Sequence, residues 1–172
     1  MPRRPPARIE LDRFLPYRLS VLTNVVSGSI AAMYQRRFAL GIPEWRVIAV
    51  LAMRPGLSAA EVAACTGMDA VAVSRAVNRL LRSGRLRRAT ADDDRRRSVL
   101  GLTPAGRAVY RQIAPLALGY ERKLLDGLDA REAAALDSIV HKLTDRARAL
   151  AADSTRSPQA AGRSPARRAG DL

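Results

Sequence analysis

The stretch Leu57–Arg88 reads LSAAEVAACTGMDAVAVSRAVNRLLRSGRLRR and contains two short helix patterns separated by a turn. Ser58 followed by Glu61 fits a capping box, which predicts that a helix begins directly after Ser58. Gly67 can adopt a positive φ in the turn that follows, and Asp69 predicts the N-cap of a second helix. Two helices joined by such a turn are typical of a helix-turn-helix.

The second of these helices, which Gly84 is predicted to end, has two different faces. On a helical wheel one face is apolar and consists of Val73, Ala76, Val77, Leu80 and Leu81. The opposite face offers guanidinium and amide groups, which match the edges of guanine and adenine or bind phosphates. The candidate DNA-binding residues of this helix are Val71, Ala72, Ser74, Arg75, Asn78, Arg79 and Arg82, with Val71 or Ala72 placed to contact a thymine methyl. An ordinary solvated surface helix is the alternative.

An arginine-rich hairpin is predicted after this helix. Seven arginines and three aspartates lie between Arg82 and Arg97, with strands predicted near Leu86–Ala91 and Ser98–Leu102. An arginine at a hairpin tip suits a narrow, electronegative minor groove. The candidate tip residues are Asp94, Arg95 and Arg96, with Asp94 close enough to orient the Arg96 guanidinium. A solvated loop is the alternative.

Longer helices are predicted on both sides of this module. Apolar residues recur at steps of three and four over residues 15–38, and Gly41-Ile42-Pro43 ends that helix and begins the next. After the hairpin, Thr103-Pro104 opens a helix that Pro115 kinks or breaks, and Asp129 caps the last helix. The predicted fold is therefore mainly α with a small β-hairpin wing.

The Pro- and Arg-rich ends of the chain predict a disordered basic arm over 1–10 and a disordered basic tail over 153–172. Residues 43–103 form the predicted winged helix-turn-helix, and 11–42 with 104–152 form a helical dimerisation region. The apolar stripes of these helices need partners that one chain of this size cannot fully supply. We therefore expect them to pack against each other and a second chain, in a homodimer with DNA-binding helices ~34–36 Å apart. A monomer is the alternative.

Composition limits the chemistry of the chain. The formal net charge of +14 favours a polyanionic partner, and we expect double-stranded DNA rather than a membrane because no strongly amphipathic basic and aromatic helix is apparent. One Cys and one His exclude an intramolecular disulfide and a Cys/His zinc site. With no phosphate loop either, we expect no cofactor, no metal and no enzymatic activity. The absence of a signal peptide or long apolar run predicts a cytoplasmic protein.

The module resembles the MarR family of bacterial regulators, from Leu57–Arg88 to DDDRRRSVLGLTPAGR at residues 92–107. The resemblance is most specific in Asp94-Arg95-Arg96 followed by LTPAG at residues 102–106, and it extends over about residues 11–150. It implies that Arg96 is the minor-groove arginine and Asp94 its orienting partner, and that residues 70–79 occupy the major groove. It also implies a dimeric repressor that a small molecule releases from a pseudo-palindromic operator.

The segment PYRLSVLTNVVSGSIAAMYQRRF at residues 16–38, with IPEWRV at 42–47, resembles a branch that senses hydroxycinnamates or related aromatic acids, free or as CoA thioesters. Such a ligand needs an apolar slot with a cation and a hydroxyl donor. The candidate ligand residues are Arg46 with Ser27 or Ser29 for the carboxylate, Trp45, Met33 and Tyr34 for the walls, and Arg36 and Arg37 for CoA phosphates. The alternatives are a core role for Trp45, an intramolecular salt bridge for Arg46 and a solvated Arg36-Arg37 pair.

Two other functions remain open. The first is a ligand-independent architectural DNA-binding protein whose basic tails supply most of the affinity. The second is a thiol-responsive regulator acting through Cys65, which lies at the turn of the helix-turn-helix and is otherwise expected to be a small core residue. His141 is expected on the exposed polar face of the last helix.

Overall fold

The computed structural model describes residues 8–90 and 98–156. The predicted hairpin tip with Asp94, Arg95 and Arg96 lies outside the described residues, as does most of the predicted arm and tail. The described elements are α1 (Leu15–Phe38), α2 (Ile42–Met53), α3 (Ala59–Thr66), α4 (Ala70–Arg82), β1 (Leu86–Thr90), β2 (Ser98–Leu102), α5 (Pro104–Leu125) and α6 (Ala130–Arg156). The predicted fold class is confirmed. The chain divides into two compact units, one up to Arg122 and one from Lys123.

Local hydrogen bonds fix the helix-turn-helix where the sequence predicted it. The Ser58 backbone N–H donates to the Glu61 carboxylate at 2.7 Å, and Ser58 Oγ accepts from the Glu61 N–H at 3.3 Å. Gly67 ends α3 with a φ of 65°. Asp69 Oδ1 accepts from the Ala72 N–H at 2.8 Å and so caps α4. These contacts satisfy backbone donors that the first turn of each helix leaves free.

The core of the first unit lies between α2, α3 and α4. Four residues of the predicted apolar face of α4 are buried, namely Val73, Ala76, Val77 and Leu80, and Leu81 is half-buried. They pack in one cluster with α2 residues such as Ile48 and Leu51. Burying a side chain of this size contributes roughly 1.5–3 kcal/mol, which is enough to hold one face of α4 inward.

The wing is an antiparallel hairpin that is attached to the segment before α3. β1 and β2 pair in the register Leu86 with Leu102 and Thr90 with Ser98. Leu100 of β2 also bridges Leu57, with its N–H donating to the Leu57 carbonyl at 2.8 Å. Leu86, Leu100 and Leu102 are buried, so the base of the wing is part of the core.

The start of α5 contacts the chain that leads into the wing. Thr103 Oγ1 accepts from the Gly106 N–H at 3.1 Å and donates to the Gly84 carbonyl at 2.7 Å. A Cβ on Gly106 would overlap with the Arg85 carbonyl oxygen, so only glycine allows this close approach.

A break of α5 at Pro115, one of the two predicted outcomes, is wrong. The helix is continuous from Pro104 to Leu125 with Pro115 inside it. A proline fits helical φ and removes a single hydrogen bond. We attribute the continuity to Ile113, which is fully buried just before the proline and anchors the helix to the core.

In the single chain, α1 is buried only near its C-terminal end. Ala31, Tyr34 and Phe38 are its buried residues. The predicted stripe is largely exposed, with Leu15, Leu19, Leu22 and Met33 at 43–54% exposure. Most of the predicted stripe therefore stays exposed to solvent within the described part of this chain, whereas Ile30 packs against the core.

The second unit is the end of α5 and the helix α6. Asp129 and Glu132 form the predicted cap, with the Asp129 N–H donating to Glu132 Oε2 at 2.9 Å and the Glu132 N–H donating to Asp129 Oδ1 at 2.8 Å. The apolar stripe of α6 is exposed and consists of Leu136, Ile139, Val140 and Leu143. The predicted tail boundary at residue 153 is wrong, because the α6 backbone continues to Arg156.

Within the described ranges, no helix is both long enough and apolar enough to cross a bilayer.

Candidate nucleic-acid interface

The outer face of α4 is a continuous polar surface. Because α2 and α3 hold the opposite face, the side chains that remain exposed are those of Val71, Ser74, Arg75, Asn78, Arg79 and Arg82. Ala72 is half-buried beside the N-cap. The structure therefore places the candidate DNA-binding residues of α4 on one accessible face, with the exception of this partly covered alanine.

Arg75 and Asn78 have exposed side chains near the middle of α4. Neither side chain has a hydrogen-bond partner among the described residues, and they are separated by about one helical turn. Arg82 differs, since its Nε donates to the Asn78 carbonyl at 3.4 Å. The central part of α4 thus presents a free guanidinium and a free amide, the groups that pair with guanine and adenine edges.

Arg79 forms an ion pair with Glu44, a residue that was not predicted as part of the site. Its Nη1 lies 2.8 Å from Oε1 of Glu44, which stands near the start of α2 and is only 4% exposed at its side chain. The Arg79 side chain itself is 63% exposed. In the sequence, the signal for Glu44 is an acid three residues after Gly41, in a helix whose one other charged residue is Arg46.

The arginines around the wing have different environments. Arg87 and Arg88 of β1 are exposed, and Arg88 pairs in register with Leu100. Arg85 instead turns toward α1, where its Nη2 donates to the Phe38 carbonyl at 2.7 Å. Arg85 therefore connects the end of α1 to the base of the wing, and the run of arginines is not one uniform surface.

Four of the candidate ligand residues come together between α1 and α2. Arg46 Nη2 donates to Ser27 Oγ at 3.2 Å, and the ring centroids of Tyr34 and Trp45 lie 5.8 Å apart. Trp45 also stacks on Tyr110 of α5 at 6.0 Å. The pKa of Tyr34 is raised to about 12, chiefly by burial and also by the Glu44 carboxylate, while the Arg46 guanidinium lowers it. The group combines an aromatic wall, a cation and a hydroxyl.

Among the described residues, the other four candidate ligand residues make no hydrogen bond or ring contact with this group. Ser29 Oγ donates to the Val25 carbonyl of its own helix at 2.9 Å. Arg37 donates to Gln112 Oε1 at 2.8 Å and lies over the ring of Phe38. The side chains of Met33 and Arg36 are exposed. The alternative of an intramolecular salt bridge for Arg46 is not found among the described residues, where Arg46 donates to a hydroxyl.

A cavity of about 320 Å³, which adjoins this group through Tyr110, was not predicted. It is lined by Leu51, Ala52, Pro55, Leu102, Arg107, Tyr110 and Arg111. Arg107 Nη1 donates a hydrogen bond to the Leu102 carbonyl at 2.6 Å, whereas Arg111 has no hydrogen-bond partner in the part of the chain described. In the sequence, the spacing of Arg107, Tyr110 and Arg111 by three and four positions could have indicated that they share one side of α5 and line a common site. Apolar walls with a cationic rim suit a small amphiphilic anion.

His141 is exposed as expected, whereas Cys65 lies within α3 and is not one of the buried core residues. Cys65 is half-buried, and Arg54 Nη1 donates to its Sγ at 3.7 Å. His141 is exposed on α6, with Nδ1 2.9 Å from the Asp137 carbonyl. Over residues 8–90 and 98–156, His, Cys, Asp and Glu side chains form no group of three that is arranged to hold a metal ion.

Comparison with known proteins relates this architecture to one family. Residues 40–97 match the MarR family. Over 90 residues the chain is 30% identical to the HTH-type transcriptional regulator BilQ of Clostridium symbiosum, a match that spans 52% of this chain and 62% of that relative, which is less than two thirds of its length.

Two solved structures share the fold over most of the chain. A MarR/EmrR family transcriptional regulator from Acinetobacter sp. ADP1 is 26% identical with a TM-score of 0.76, covering 81% of this chain and 99% of that one. FabT of Streptococcus pneumoniae, solved in complex with DNA, is 25% identical with a TM-score of 0.65, covering 82% and 99%. By its matched segment and its fold, the chain is similar to the MarR family of transcriptional regulators.

Proposed function

We propose that this chain is a homodimeric transcription regulator, and a repressor, that binds a pseudo-palindromic DNA site through α4 and the wing. The observation that carries the proposal is the exposed arginine face of α4, opposite a face buried against α2 and α3. A helix held in this way enters a major groove as a rigid element. The DNA complex of the structural relative FabT supports the same use of the fold.

The proposal divides the contacts between base edges and phosphates. Arg75 and Asn78, with free side chains in the middle of α4, read base edges. Val71 at the N-terminal end is 59% exposed and contacts a thymine methyl. Arg82 binds phosphates. The tip with Asp94, Arg95 and Arg96 is proposed to enter the minor groove, as the continuation of strands whose leucines anchor the wing.

Operator binding by an Arg75→Ala variant tests this division. We expect discrimination between operator and random DNA to fall by about 5- to 150-fold, because a lost bidentate base contact costs ~1–3 kcal/mol. Arg146→Ala is the matched control, since it removes the same charge from an exposed position of α6. Fluorescence anisotropy at fixed salt, with an operator selected from random duplexes by the wild-type protein, measures both variants.

Equal, small losses in the two variants would contradict specific reading by Arg75. They would favour the architectural alternative, in which the net charge of +14 supplies sequence-independent affinity. That alternative also predicts a steep salt dependence with little difference between operator and random DNA.

The dimer is proposed from the exposed apolar residues of α1 and α6. Leu19 and Leu22 of α1 are 43% and 54% exposed, and Ile139 of α6 is 52% exposed. A second copy that covers these positions removes large apolar side chains from water. Gel filtration with light scattering is expected to give twice the chain mass, and Leu22→Arg is expected to shift it toward the monomer. A monomeric mass for the wild type at micromolar concentration would refute the dimer.

The effector is proposed to be a small aromatic acid or its CoA thioester, bound by the group around Arg46. In support, Arg46 and Ser27 lie within hydrogen-bonding distance and the Tyr34 and Trp45 rings lie close to each other. Ser29 and Met33 remain proposed at the edge of this group, and Arg36 and Arg37 remain proposed for the phosphates of a thioester. An effector that favours a dimer with the wrong helix spacing reduces DNA affinity about 5- to 150-fold for a coupling of ~1–3 kcal/mol.

Thermal-shift and DNA-release titrations with p-coumarate, ferulate and their CoA esters test the effector. Arg46→Ala is expected to abolish the shift, and Arg111→Ala, at the rim of the 320 Å³ cavity, is expected to preserve it. The reverse result would move the effector site to that cavity. The absence of a shift and of release with all four compounds would refute the effector class.

A further inference from the structure

Glu44 is a buried carboxylate near the start of α2, a helix whose other charged residue is Arg46. It is 3% exposed, and no other charged residue in the described ranges is buried. Both of its oxygens are used, since Oε2 accepts from the Gly41 N–H at 2.9 Å and Oε1 accepts from Arg79 Nη1 at 2.8 Å. Burial of a carboxylate costs several kcal/mol unless it is fully paired, so the position of Glu44 requires a reason.

Helix capping does not supply that reason. In the described ranges, Glu61 of α3 and Glu132 of α6 likewise accept from the N-cap N–H of their own helices, and both of these glutamates are exposed. A cap therefore forms in this protein without burying the acid. What distinguishes Glu44 is its ion pair with α4, which joins residues 35 positions apart.

Arg79 is held at one edge and exposed at the other. Its Nη1 is fixed by Glu44, and the side chain is still 63% exposed. A guanidinium has five N–H donors in a rigid plane, so fixing one of them orients the rest. Arg79 lies in the C-terminal half of α4, whereas base edges are contacted mainly from the N-terminal part of such a helix. A phosphate is the partner that this position favours.

We propose that Glu44 is a positioning residue that orients Arg79 to contact a DNA phosphate. The proposal rests on the proposed DNA-binding function and assigns Arg79 to the phosphate backbone rather than to a base. Orienting the side chain before binding removes the ordering cost of one long side chain, which corresponds to about two- to twelvefold in affinity. If Glu44 only neutralised the charge of Arg79, removal of the Glu44 charge would instead strengthen DNA binding, because the attraction of Arg79 to phosphates would increase.

The test is a cycle of Glu44→Gln, Arg79→Gln and the double variant, with operator affinity measured over a series of salt concentrations. Glutamine keeps the size of the side chain and an acceptor for the Gly41 cap. Arg79→Gln is expected to weaken binding and to reduce the salt slope by about 0.9, the value for one phosphate. Glu44→Gln is expected to weaken binding about two- to twelvefold with the slope unchanged.

In the double variant we expect the affinity of Arg79→Gln alone, because Glu44 has nothing left to orient. Arg79→Lys is expected to retain the slope and restore part of the affinity. Arg75→Gln is the control, since Arg75 has no recorded partner in the described ranges and its loss is expected to add to that of Glu44→Gln. Thermal melts identify a temperature at which all variants are folded.

Three results would overturn the inference: tighter binding by Glu44→Gln, an equal further loss when it is added to Arg79→Gln, or an unchanged salt slope in Arg79→Gln. The second of these would assign Glu44 a structural role only. Failure of the wild type to bind any duplex DNA would refute the proposed function first, and the inference with it.

Discussion

Gly106 decides how closely α5 approaches the base of the wing, and Gly106→Ala is expected to destabilise the protein. A Cβ at this position would overlap with the Arg85 carbonyl oxygen and would lie 3.2 Å from both the Arg85 carbonyl carbon and Leu102 Cδ2. The nearest obstacle is backbone, so the start of α5 must move. Two effects on the free energy of unfolding oppose each other here, because alanine within a helix is favoured over glycine by ~1 kcal/mol.

The size of the loss in stability follows from the contacts that a movement of α5 would strain. Overpacking a filled site costs ~1–3 kcal/mol. Moving α5 also stretches the bonds from the Thr103 N–H to the Arg85 carbonyl, at 3.1 Å, and from the Gly106 N–H to Thr103 Oγ1, at 3.1 Å, each of which is worth ~1 kcal/mol. After the gain in helix propensity is subtracted, the free energy of unfolding is expected to fall by ~2–4 kcal/mol.

Urea unfolding followed by far-UV circular dichroism measures this change, and the Tm is expected to fall by roughly 4–16 °C. Gly119→Ala is the matched control in the same helix. Its added Cβ would meet only Arg122 Nη2 at 3.8 Å, an ordinary contact, so up to ~1 kcal/mol of stabilisation is expected. If Gly106→Ala is also as stable as the wild type or more stable, the close approach of α5 to Arg85 is refuted.

Three further outcomes are expected. Leu80→Ala, at a position of α4 that is 1% exposed, should lower the free energy of unfolding by ~2–5 kcal/mol in urea titrations, and a loss below ~1 kcal/mol would contradict its place in the core. Burial raises the pKa of Tyr34 from 10.0 to about 12, so its contribution to stability is present below pH 10 and is lost as the pH rises through about 12. Tyr34→Phe should therefore flatten the alkaline loss of stability in a pH series of urea titrations, and an unchanged slope would argue against a buried phenol. Asp129→Ala removes the cap of α6 and should cost ~1 kcal/mol of helix stability. Circular dichroism during heating should then show lower helicity than in the wild type, and a spectrum equal to that of the wild type would show that the cap is dispensable.

The helices could be predicted from the sequence because their ends depend on neighbours within four residues. Ser58 with Glu61, Asp69, and Asp129 with Glu132 each cap a helix at the predicted place. The two faces of α4 follow from the 3.6-residue period in the same way. For Pro115 the sequence left a kink or a break open, and the folded chain shows a continuous α5 with Ile113 fully buried just before the proline.

The candidate site was predicted as a surface but not in its internal contacts. Periodicity assigns a face to every position of a helix, so the outward-facing residues of α4 could be read from the sequence. The ion pair of Arg79 with Glu44, the contact of Arg85 with Phe38 and the cavity lined by Arg111 appear only in the folded chain. These contacts join residues 35 and 47 positions apart and depend on the packing of distant segments. A long guanidinium side chain reaches several partners from one backbone position, and only the folded chain selects among them.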